Sequence, residues 1–224
     1  MAIETSCRAG GVALGSGDAL DRKIAFDASA RHATQVVSRA REVLSQAGLR
    51  PADLDELYVS SGPGSFTGLR VGVTVARTLG QLLPRLRCVG VPTAAAVAEN
   101  ARDLDWEHLG VIMDARGRDV YAALFARRAT EIAPDGAPGV VDAQEFLASA
   151  PRPLTLIGEG LAHHELRDRG VTISEPRLYL PTPEGVWRVG RRMARDGQFT
   201  PAGELLPVYA RAPEAVRLWE KRRS

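Results

Sequence analysis

The stretch "VSSGPGSFTGLRVGVTVARTLGQLL", Val59 to Leu83, decides the fold. An apolar run ending in two serines reads as a strand and the glycine-rich segment as a turn. The periodic remainder reads as a helix that stops before Pro84. Gly68, Gly72, Ala76 and Gly80 recur every fourth residue, so they form one stripe along one face of that helix. Each interior Gly costs about 1 kcal/mol relative to Ala, and close approach of another backbone is the usual compensation. Two neighbours can come that close: a helix of a partner, or this chain's own sheet.

Strands and helices alternate outward from this stretch. "MAIET" and "GGVALGS" read as an antiparallel hairpin that "ALDRKIAF" extends. The first strand opens so early that one or two residues ahead of it are expected. In "RHATQVVSRAREVLSQAGLRPADL" the positions Ala33, Val36, Val37, Ala40, Val43, Leu44 and Ala47 follow the helical period, and Gly48 with Pro51 ends the helix. "LRCVGV" is a strand and "TAAAVAENARDL" a helix capped by Thr93. Near residue 109 the pattern restarts. "MDARGRDVYAAL" from Met113 aligns without a gap on "IETSCRAGGVAL" from Ile3, which sets Asp114 against Glu4. This predicts two related α/β lobes, residues 1–104 and 105–224, with mixed sheets and flanking helices. In the second, "DAQEFLASA", "LAHHELRDRG" and "EGVWRVGRRMARDG" read as helices, "PLTLIGEG" as a strand and turn, and "PDGAPG" as a loop. The tail ends in a basic helix.

Composition narrows the classes. With 45% hydrophobic and 25% charged residues over 224 positions the chain is globular, and no apolar run has the length of a membrane span. Two cysteines, Cys7 and Cys88, lack metal-ligand spacing and point to free thiols in a reducing cytoplasm. The net charge of +2 gives no global field for nucleic acid, although residues 185–224 carry nine Lys/Arg against four Asp/Glu. Arg188, Arg191, Arg192 and Arg195 share one side of the late helix. They read as a solvated face or as phosphate contacts to an RNA.

Three constellations bear chemistry. Gly62, Gly64, Ser65 and Thr67 stand at a helix N-terminus, where free amides and the helix dipole favour a phosphate or carboxylate. The same residues suit a tight turn capped by Ser65 or Thr67, and the pattern is not that of a P-loop. Glu4 and Asp114 end equivalent strands and, facing one another, would hold a magnesium–nucleotide. Equally, they are ordinary strand-end acids. His32, His108, His163 and His164 have no spacing that makes a metal site, so none is expected.

The segments "AIETSCRAGGVAL", "RHATQVVSRAREVL", "GPGSFTGLRVG", "CVGVPTAAAVAEN", "MDARGRDVYAALF" and "LPVYAR" resemble the TsaB (YeaZ) family of bacterial tRNA threonylcarbamoyladenosine biosynthesis. The resemblance implies two ribonuclease-H-like lobes of the actin, Hsp70 and sugar-kinase type. It implies a cytoplasmic, non-catalytic subunit that scaffolds a TsaD-like threonylcarbamoyl transferase. A TsaE-like ATPase would join the assembly, a homodimer would form in the subunit's absence of partners, and tRNA would be met only indirectly. It further implies an interface built from the first long helix and the glycine-loop helix, here His32, Val36, Gly68, Arg70, Gly72, Ala76 and Gly80. Any ATP or ADP would sit at the partner interface. The paralogous TsaD carries metal-binding histidines where this chain has Thr93, Ala94, Ala95, Ala96 and Val97, and alanine ligates no metal. The family's usual start is closer to "DTST"; here "ETSC" puts Glu4 and Cys7 in place of the expected acid and hydroxyl. The competing reading from the same superfamily is an ATP-dependent kinase or ATPase using Glu4 and Asp114.

Overall fold

The structure is a computed structural model and describes residues 1–27 and 32–211. Strands β1 (Ala2–Glu4), β2 (Gly11–Ser16), β3 (Ala19–Ala25), β4 (Glu56–Gly62) and β5 (Arg87–Pro92) form one sheet in the order β3-β2-β1-β4-β5. The first three strands are antiparallel neighbours, whereas β4 and β5 run parallel to β1. Parallel neighbours need long crossovers. Helix α1 (His32–Gln46) supplies the one between β3 and β4, and α2 (Phe66–Leu82) the one between β4 and β5.

The second sheet is built from β6 (His108–Asp114), β7 (Asp119–Arg128), β8 (Glu131–Pro134), β10 (Leu154–Ile157) and β11 (Val171–Ile173). Its order, β8-β7-β6-β10-β11, repeats the first, and β9 (Gly139–Asp142) also pairs with β7. Helix α4 (Ala143–Ser149) stands where α1 stands in the first lobe. The equivalence of Glu4 and Asp114 therefore holds in three dimensions, since each ends the central strand before a tight turn.

Side chains alternate across each central strand. Ile3 faces a core shared with Val36, Val43, Leu57, Val59, Val73 and Ala76 beneath α1 and α2. Ala2 faces the opposite way, into a core between the lobes that contains Val97, Val111, Met113, Val186, Trp187 and Val189. Two helices fill that middle layer, α3 (Thr93–Ala98) and α5 (Pro183–Arg195). Small residues permit their approach. A Cβ on Gly185 would lie 2.4 Å from the Ala96 carbonyl oxygen, and one on Gly190 2.4 Å from the Tyr58 ring.

The structure departs from the sequence reading at several points. Thr93 is buried inside the first turn of α3, and the cap position is Pro92, so Thr93 caps nothing. Residues 163–168 form no helix; only a 3-10 turn, Glu159–Ala162, follows β10. The strands β8, β9 and β11 do not follow from the sequence, because their short runs lack a clear period of two. The boundary at 104/105 separates the two sheets, but the chain from Pro183 to Tyr209 returns to the first one. There α5 packs on β1, β2 and β4, and Leu205 is buried in the core beneath α2. The expected basic C-terminal helix falls on residues 212–224, outside the described residues.

Candidate functional site: the interlobe cleft and the outer face of α2

The small-residue stripe turns inward. A Cβ on Gly68 would lie 1.9 Å from the Thr5 carbonyl oxygen, and one on Gly72 2.4 Å from Thr5 Oγ1 and 3.2 Å from Val59. On Gly80 it would meet Ala202 at 2.7 Å and the Cys88 sulfur at 3.1 Å, and Ala76 is fully buried. The stripe therefore lets α2 sit on this chain's own β1 and β4, not on a partner helix. Val36 of α1 is likewise core, with no exposed surface. Gly68, Gly72, Ala76 and Val36 are thus corrected from interface to interior, and Gly80, half-buried, lies against this chain's own Ala202 and Cys88. The His32 side chain lies outside the described ones.

Arg70 does face outward. Its guanidinium lies 3.7 Å over the Phe66 ring, and its Nε donates to the Tyr209 hydroxyl at 3.2 Å. Around it the exposed side of α2 presents Thr74, Thr78, Gln81 and Leu82, and α1 presents Val37, 63% exposed. A groove of about 660 Å³ runs between this face and Leu206, Pro207 and Tyr209.

The glycine loop is a tethered turn. The Ser65 amide donates to the Ser6 carbonyl at 2.7 Å, and Ser65 Oγ accepts from the Gly68 amide at 3.3 Å, capping α2. Gly62, at φ +118°, has no room for a side chain because the Val208 carbonyl oxygen would lie 2.0 Å from its Cβ. Gly64 presses on Ser6 in the same way. Thr67 is exposed and caps nothing.

Between the lobes lies a cleft of about 750 Å³, bounded by Ser6, Cys7 and Arg8 from one hairpin turn and Asp114, Ala115 and Arg116 from its counterpart. The acid pair does not face across it. Glu4 has no exposed surface and spends one carboxylate oxygen on its own turn, where Ser6 donates both its amide and, at 2.6 Å, its hydroxyl. The second oxygen, Oε2, has no hydrogen-bond partner. Burial pushes the Glu4 carboxyl up to about 7, against the opposing pull of Ser6, Ser60 and the Cys7 amide. A magnesium–nucleotide held by Glu4 and Asp114 does not fit this arrangement.

Asp114 instead belongs to a group that sequence reasoning missed. Its amide donates to Glu159 Oε1 at 3.2 Å, and its Oδ1 lies 3.4 Å from Nε2 of His164. Burial raises the Glu159 carboxyl above the ordinary range, against the opposing pull of the hydrogen bond from the Asp114 amide, while the Asp114 charge adds a smaller push upward. A helix over 161–170, as the sequence reads, points these residues elsewhere; the glycines Gly158 and Gly160, which crowd Ile112 and Asp114 as Gly68 crowds Thr5, are the signal for the turn. Among the described residues no three His, Cys, Asp or Glu side chains are placed to hold a metal ion. Burial also pushes the Cys7 thiol up to about 12, with Glu4 and Glu159 contributing.

The arginine row of α5 is spent within the chain. Arg188 pairs with Glu184 at 2.8 Å, Arg191 with Glu56 at 3.3 Å, and Arg195 with Asp18. Arg192 reaches Glu99 at 3.1 Å, a carboxylate only 2% exposed that Arg102 also holds, at 2.6 Å. The Arg188 pair lies within α5 itself, whereas those of Arg191, Arg192 and Arg195 fasten α5 to the first lobe.

Comparison with known proteins agrees with this architecture. Residues 26–194 match the family model described as TsaD: tRNA N6-adenosine threonylcarbamoyltransferase. The tRNA threonylcarbamoyladenosine biosynthesis protein TsaB of Bacillus subtilis is 27% identical over 227 residues, covering 98% of this chain and 96% of that protein. Its Escherichia coli namesake is 27% identical, covering 99% and 96%. The chain belongs to the TsaB (YeaZ) family, within the broader family of the TsaD model. The structure of YeaZ from Pseudomonas aeruginosa superposes with a TM-score of 0.79 at 25% identity, covering 93% of this chain and 97% of the other. The two-lobed fold implied by the family's sequence pattern is thus the one observed. No helix among the described residues is long and apolar enough to cross a membrane.

Proposed function

We propose that this TsaB-family chain serves threonylcarbamoyladenosine biosynthesis in tRNA as a non-catalytic subunit that scaffolds a TsaD-like transferase. The observation that carries this reading is the end-to-end match to proteins named TsaB, combined with a long α2 whose inner face is spent on the core and whose outer face remains open. Lack of catalysis by the chain alone is supported by α3. Thr93 to Val97 are all buried against the interlobe core, so none presents a ligand or nucleophile to the cleft. The kinase alternative is not favoured, since Glu4 is sealed in its own turn.

The docking surface of this reading is the outer face of α1 and α2: Val37, Phe66, Arg70, Thr74, Thr78 and Leu82. A homodimer of the free chain would use the same face, a TsaE-like ATPase would join the assembled pair, and a purine nucleotide would bind at the junction with the transferase. The test is co-purification with the TsaD-like protein of the same organism, followed by sizing. Wild type is expected to form a stoichiometric complex that Thr74→Glu with Thr78→Glu abolishes, while the thermal midpoint of the isolated chain is unchanged. Separate elution of the wild-type proteins at micromolar concentration overturns the scaffold reading.

A further inference from the structure

After α5 the chain does not simply end on the first lobe. The Thr200 amide donates to the Cys88 carbonyl at 2.8 Å, and Leu205 is buried beneath α2. The backbone then rises along the loop before α2: the Val208 amide donates to the Ser61 carbonyl at 2.6 Å, in the space that Gly62 leaves by having no side chain. Tyr209 lies against Phe66, ring centroids 4.9 Å apart, with its hydroxyl held by Arg70. Two residues later Arg211 reaches across to Asp119, the first residue of β7 in the other lobe, and forms an ion pair with its carboxylate. Tyr209, Ala210 and Arg211 border the same cleft as Cys7 and Asp114.

We propose that residues 205–211 are a strap that spans the rim of the interlobe cleft and latches the two lobes through Arg211 and Asp119, so that entry to the cleft requires the latch to open. Anchoring on the first lobe is extensive: a buried leucine, a backbone hydrogen bond and an aromatic contact. On the second lobe the described attachment is one ion pair whose partners are 26% and 41% exposed. The strap therefore releases at its Asp119 end first, because a partly solvated pair is far weaker than the packing behind it.

The chain carries its own reporters. Cys7 borders the cleft and is partly exposed, whereas Cys88 is buried in the first lobe under α2. Alkylation by iodoacetamide, followed for each cysteine by peptide mass spectrometry, measures cleft opening at Cys7 and loosening of the lobe at Cys88. Arg211→Ala and Asp119→Ala should each speed modification of Cys7 by about two- to fivefold, the range set by one partly exposed ion pair. Cys88 should remain at its wild-type rate, and the reversed pair Arg211→Asp with Asp119→Arg should return Cys7 towards wild type. Unchanged Cys7 rates in both single variants overturn the latch. So do a parallel acceleration of Cys88, which reports general loosening, and a failure of the reversed pair to restore protection. The experiment needs no partner, so its outcome is separate from that of the scaffold reading.

Discussion

Replacing Gly68 with alanine adds one methyl group to α2, and on helix propensity alone it should stabilise the chain by about 1 kcal/mol. The structure predicts the reverse. The new Cβ would sit 1.9 Å from the carbonyl oxygen of Thr5, a backbone atom. A tolerable contact begins near 3.0 Å, so helix and strand must part by roughly 1 Å. Thr5 cannot retreat freely, because it lies between Glu4 and Ser6, whose amide and hydroxyl both donate to the Glu4 carboxylate, while the Ser6 carbonyl accepts from the Ser65 amide. Overpacking of this kind costs about 1–3 kcal/mol, occasionally more, and a clash with backbone belongs at the upper end. With the propensity gain subtracted, Gly68→Ala should lose about 2 kcal/mol. In a chain of this size that lowers the thermal midpoint by roughly 4–8 °C. Circular dichroism melts give the shift, and urea unfolding gives the free energy. Gly203→Ala is the control, since no atom lies within 4 Å of its added Cβ, and it should melt with wild type. A Gly68→Ala protein as stable as wild type would refute the inward packing of the stripe and return Gly68 to the surface.

Other outcomes follow from the same contacts. The Glu4 carboxyl is pushed from 4.5 up to about 7, so the folded state favours its neutral form. Its contribution is therefore fully present below about pH 4.5 and is lost as pH rises through 7, by on the order of 3 kcal/mol. Urea midpoints at pH 5 and pH 8 should fall further apart in wild type than in Glu4→Gln, and parallel profiles would contradict the burial of a titrating Glu4. Glu99→Gln leaves Arg102 and Arg192 without their shared, nearly buried carboxylate, and should destabilise the chain by about 3 kcal/mol in chemical unfolding. Because Arg188, Arg191, Arg192 and Arg195 are all paired internally, Arg192→Met should lower the melting temperature more than it alters retention on an RNA column, with the opposite ranking expected of a phosphate-contacting arginine.

What the sequence disclosed were features written in local spacing. Helical periods placed α1 and α2, the glycine loop marked the turn between β4 and α2, and the gapless alignment of Glu4 with Asp114 anticipated the repeated lobe. Spacing also defined the small-residue stripe as one face, but it carries no information about what lies against that face. Only the Thr5 carbonyl opposite Gly68 decides it. The return of α5 to the first sheet was hidden for a related reason: Trp187 and Gly190 look like any amphipathic helix until Tyr58 and Ala13 are seen beside them. Asp114 at the end of β6 meets Glu159 and His164 from the turn and loop after β10, and Arg211 meets a residue 92 positions earlier. Such pairings depend on the whole topology, whereas Ser65 capping its own helix does not.

The repeat also explains why one lobe carries an exposed long crossover helix and the other does not. Both sheets have the same strand order, and in each the fourth strand in that order leads by a parallel crossover to the fifth. In the first lobe the crossover is the 17-residue α2, long enough to cover the sheet with one face and display another. In the second it shrinks to the 3-10 turn Glu159–Ala162 and a loop, so the equivalent position has no helix to present. The glycine that crowds the central strand survives in both, as Gly68 against Thr5 and Gly160 against Met113 and Asp114. Close packing at the cleft is thus common to the two halves, while the exposed helical face belongs to the first alone. A subunit that docks through α1 and α2 would be expected to keep this asymmetry, because a second long crossover helix would create a second competing face.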